Sequence, residues 1–83
     1  MSIYKDIQTT EIELFNILEL AFKYAANREF PKFKVCMEAM LELEKDYKDM
    51  TKTNFIKKEN MERLLTALDK LEKDYNANPY KIK

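Results

Sequence analysis

The chain reads as all-α, a small antiparallel three-helix bundle, and three observations predict this class. Apolar residues recur at three- and four-residue steps in three separate blocks. A proline at position 31 and a run of capping and β-branched residues at 49–54 divide those blocks. The 83 residues leave room for one core, so residues 1–83 are taken as a single helical domain. A core of this size contributes only about 3–5 kcal/mol, so the alternative is a helical hairpin that completes its core as a homodimer.

Residues 1–9 are an N-terminal segment in which Ile3, Tyr4 and Ile7 offer a loosely packed turn. Thr10 followed by Glu13 has the spacing of a capping box, in which hydroxyl and carboxylate each satisfy a free backbone N–H. The first helix is therefore expected over 10–27. Pro31 disfavours helix in the residue before it and suits a first helical turn, so the second helix is expected over 31–50. Its seam is Phe33, Cys36, Met40, Leu43, Tyr47 and Met50, widened by Met37 and Leu41. The third helix is expected over 54–76, with Met61, Leu64, Leu68, Leu71 and Tyr75 in its seam and Leu65 beside it. Asn76 to Pro79 stops it, and 77–83 is a basic tail. Leu43 to Tyr47 repeats as Leu71 to Tyr75, an echo that fits either a duplicated helix or the cheap recurrence of Leu, Glu, Lys and Tyr in heptads.

The stretch Ile12–Ala26 is the most apolar, and its polar residues Glu13, Asn16, Glu19 and Lys23 occupy an arc of roughly 120°. The first helix is accordingly expected to be the most buried of the three. Leu14, Leu18, Ala21, Phe22 and Ala25 centre its core-facing arc. Ile17, Leu20 and Tyr24 then make a displaced ridge at i, i+3 and i+7, the spacing of helical anchors that dock into a groove. These three are the candidate protein-binding residues.

Composition excludes much. Without glycine there is no P-loop, dinucleotide-binding turn or nucleophile elbow. Without histidine the usual general base and the commonest zinc ligand are missing. Cys36 lies in an inward seam among Phe33, Met37 and Met40, which makes it a buried structural thiol rather than a nucleophile. The acids Glu38, Glu42, Asp46 and Asp49 share an outer helix face with lysines, a solvated salt-bridged surface. No catalytic activity, cofactor or metal is expected. The longest uncharged apolar run is short, and the N-terminus lacks a signal peptide's apolar block. With one cysteine, this predicts a cytoplasmic protein without a membrane span. Heavy use of Lys, Asn, Ile, Tyr and Phe points to an AT-rich coding source, bacterial or phage.

Equal numbers of basic and acidic residues argue against a general polyanion binder. The charges still segregate, and an up-down-up bundle brings Lys81 and Lys83 beside Arg28, Lys32 and Lys34. That basic end is the candidate nucleic-acid contact of the runner-up reading, with Phe30 and Tyr80 available to stack on bases. The leading expectation is a non-catalytic protein-binding module, a regulator, adaptor or inhibitor that occludes a partner protein or pairs with its own copy. A self-assembling structural role is the third reading.

Overall fold

The computed structural model describes residues 3–77, and side chains from Asp6 onward. It is a three-helix bundle with no strand among the described residues: α1 spans Ile3–Ala26, α2 Phe30–Thr51 and α3 Lys58–Ala77. The helices run up, down and up. Tyr47 near the end of α2 reaches Glu11 near the start of α1, and Phe30 at the start of α2 stacks on Tyr75 near the end of α3. The bundle measures 49 × 20 × 15 Å, too thin to surround any one helix completely.

The first helix starts seven residues before the expected Thr10 and absorbs the separate N-terminal segment. Thr10 is an interior position, and its hydroxyl donates 2.8 Å to the carbonyl of Asp6. A threonine can cap a helix or bond back one turn inside one, and here it does the second. At the far end the chain closes the helix without glycine. Arg28 adopts a left-handed φ of 57°, its N–H donates to Ala25, and the N–H of Glu29 donates to Tyr24. This is a Schellman closure, with arginine accepting a conformation that costs a residue bearing a Cβ about 1–2 kcal/mol. Its guanidinium compensates by bridging to Asp74 of α3 at 2.7 Å. Lys52 ends α2 in the same left-handed conformation, φ 64°, with its N–H donating to Lys48.

The most buried helix is α2, not α1. Phe30, Phe33, Cys36, Met37, Met40, Glu44 and Tyr47 are all buried on it, whereas α1 contributes Leu14 and Ala21 and α3 contributes Leu64 and Leu71. All three helices pack on one another, and α1 and α2 form the main pair. The second helix is the more buried because its apolar residues fall in one inward stripe, whereas those of α1 spread onto its outer face. Cys36 is part of this core, and burial pushes its thiol up from its ordinary value, away from the reactive thiolate.

Two side chains of α2, Glu44 and Tyr47, join the core to the 52–57 connection. The Glu44 carboxylate accepts from the backbone N–H of Phe55 at 2.9 Å and from that of Ile56 at 2.8 Å, holding Ile56 in the core. Tyr47 meets Phe55 edge-on at 5.6 Å between ring centroids, and its hydroxyl donates 2.8 Å to Glu11.

The bond to Glu11, then burial, then the charges of Glu11 and Glu44 hold the Tyr47 hydroxyl above its ordinary value of 10.0, and only Thr51 pulls the other way. The folded chain thus prefers the protonated phenol. Its contribution is fully present below pH 10, where the unfolded tyrosine is also protonated. It is lost as pH rises through the higher folded-state value. Urea midpoints measured from pH 9 to pH 11 should fall more steeply for the native chain than for Tyr47→Phe; equal slopes would place the titrating group elsewhere.

Candidate protein-binding face

The sequence marks Ile17, Leu20 and Tyr24 as the outer ridge of α1, and the structure separates them. Ile17 and Tyr24 are half-buried and packed against the core, with Lys32 Nζ lying 5.8 Å from the centre of the Tyr24 ring. Leu20 alone of the three is exposed, at 42%. Ile7 packs against the same core as the helix continues through it.

A different stripe faces solvent. Gln8, Ile12, Phe15, Glu19, Phe22 and Ala26 step by four and three alternately along α1, and every one of them is exposed. Ile12 is 62% exposed, Phe15 56% and Phe22 39%. At about 100° per residue these six lie on one ridge, roughly 120° around the helix from Leu20. Phe22 was expected in the core, and Ile17 takes that place: α1 is turned by roughly 40° about its axis from the orientation its sequence favours. Leu18 and Ala25, also expected inside, are half-buried, while Leu14 and Ala21 are fully so.

The 3–4 spacing of the exposed ridge was visible in the sequence. What hid it was that the apolar arc of α1 is wide enough to contain two overlapping seams, and only one can face α2. Elsewhere the exposed apolar side chains are scattered, as Val35, Leu41 and Leu65, in the manner usual for a protein surface.

The basic end is largely compensated. Arg28 bridges to Asp74, and Lys32 bridges to Glu29 at 3.3 Å while resting near the Tyr24 ring. Lys34 is exposed. Lys81, Lys83 and Tyr80 lie outside the described residues. On the opposite flank of α1 a shallow groove collects Asp6 and Glu13 with Asp46 and Asp49 of α2, beside Thr10 and Met50. Among the described residues no group of three or more acids or cysteine is placed to hold a metal ion, and no helix is long and apolar enough to cross a membrane.

The fold and this face together define a small all-α bundle with one apolar helix face uncovered. Comparison with protein families, with curated proteins and with solved structures finds no match to the chain.

Proposed function

We propose that the chain is a non-catalytic protein-binding module, a small regulator, adaptor or inhibitor that works by laying the outer face of α1 over a partner protein. The observation that carries this is the exposed ridge along which Ile12, Phe15 and Phe22 recur on the 24-residue α1 helix. Apolar patches on small proteins usually mark interaction sites, because leaving two half-exposed phenylalanine rings in water forgoes about 1 kcal/mol for each ring that a partner could bury. The absence of glycine and histidine from the sequence, and the burial of the one cysteine, support a role without chemistry. The free thiol fits work in a reducing cytoplasm. Nucleic-acid binding draws less support, since a phosphate-binding face needs uncompensated cations and Arg28 and Lys32 already hold carboxylates.

The reading is tested by quantitative affinity capture with the native chain and with the double variant Phe15→Asp, Phe22→Asp. Both positions are exposed, so the variant should melt cooperatively with a stability change of about 1 kcal/mol or less. A partner enriched on the native chain should vanish from the variant. If everything captured by the native chain is captured equally by the variant, the face is not a binding site.

A further inference from the structure

The ridge of α1 is not wholly apolar, and its one charged residue restricts what can sit on it. Glu19 stands four residues after Phe15 and three before Phe22, on the same strip of helix surface. Any helix that covers both rings also covers this carboxylate. In the free chain Glu19 is solvated: the ion pairs among the described residues join Arg28 to Asp74, Lys32 to Glu29 and Lys73 to Asp69, and none engages it. Burying an unpaired carboxylate is strongly unfavourable, so an occupant must bring a cation to that layer or leave the rings uncovered.

With the ridge paired symmetrically on itself, so that both rings are covered, a second copy of the chain does not supply one. In an antiparallel pair centred on the ridge, midway between Ile12 and Phe22, Glu19 of one copy falls opposite Phe15 of the other. A parallel pair sets Glu19 against Glu19. Lys23, one turn further along α1, lies roughly 40° round from Glu19 and does not pair with it in the folded chain.

Resting on the reading of this face as a docking site, we infer that the occupant is an amphipathic helix of a different protein. Its apolar anchors are spaced by three and four residues, with one arginine or lysine among them set against Glu19. The ridge from Gln8 to Ala26 is about 27 Å long, which suits a partner helix of about five turns. Glu19 then acts as the register and specificity element, and Ile12, Phe15 and Phe22 as the apolar contact.

The probe is a displayed library of single-helix peptides of about 21 residues. Their heptad seam is apolar, and one central seam position is fully randomised. Selection uses the full native chain, with counter-selection on Phe15→Ser, Phe22→Ser to discard peptides bound elsewhere. Arginine or lysine should dominate the randomised position, and replacing it by alanine should weaken binding about thirtyfold or more. Against Glu19→Lys, whose circular dichroism and melting should match the native chain, selection should turn to aspartate and glutamate. If the selected peptides need Phe15 and Phe22 but show no preference for a base, this inference fails and the docking face stands. If no selected peptide depends on the two rings, or if the chain sediments as a homodimer that Phe15→Ser dissociates, the docking of a foreign helix fails too.

Discussion

Phe33→Ala is expected to bring the chain to the edge of unfolding. Phe33 is the largest side chain with no exposed surface, and it sits on the helix that packs against both others. Its removal deletes a ring from the centre of the core and leaves a void, a change that costs about 3–5 kcal/mol. A domain of this length holds about 4–12 kcal/mol in total, so the change removes about a third or more of the stability and, toward the lower end of that range, all of it. Urea denaturation followed by circular dichroism measures the loss. The useful contrast is Phe15→Ser, the same ring type on the exposed ridge, where the change should stay near 0.5 kcal/mol, about the size usual for surface sites. If the two substitutions cost the same, the assignment of inner and outer faces is wrong.

Glu44→Ala should cost about 3 kcal/mol, which for a domain this small lowers the melting temperature by about 15 °C. Both carboxylate oxygens are used, one by the N–H of Phe55 and one by that of Ile56, and the second bond is buried. Truncation leaves the Ile56 N–H in the core with no acceptor, and hydrogen bonds to a charged group are among the stronger ones. Glu44→Gln keeps one acceptor oxygen and should lose about half as much. Amide exchange gives the local readout: in Glu44→Ala protection should drop first at Phe55 and Ile56. A melting temperature within a few degrees of the native chain would mean that the 52–57 connection holds its shape without the carboxylate.

Glu44 also shows where reading the sequence stops. It sits between Met40 and Tyr47 in the apolar stripe of α2, a position that in isolation looks like one more acid in a charged helix. Nothing local says that a loop eleven and twelve residues later will fold back and present two N–H groups to it. Thr10 is a second instance, since its sequence context fits a cap and an interior back-bond equally well. The bond to Asp6 becomes recognisable only when residues 3–9 are seen to be helical.

The sequence by itself determined the number of helices and most of the inward positions of α2 and α3. These are set by local physics: three-and-four spacing, a proline that suits the first turn of a helix, and a core that 83 residues can fill only once. Leu41 and Leu65, expected in or beside those seams, are nevertheless exposed. The third helix, expected from 54, begins at Lys58 because Glu44 holds the N–H groups of Phe55 and Ile56 in the connection. The orientation of α1 was decided by tertiary structure alone. Apolar residues cover so much of that helix that two overlapping seams compete for the core, and the one its sequence favours is not the one buried. The choice came from the packing of α1 against α2 and α3, which takes Ile17 and Tyr24 toward the shared core. That leaves Phe15 and Phe22 facing water, where the candidate site lies.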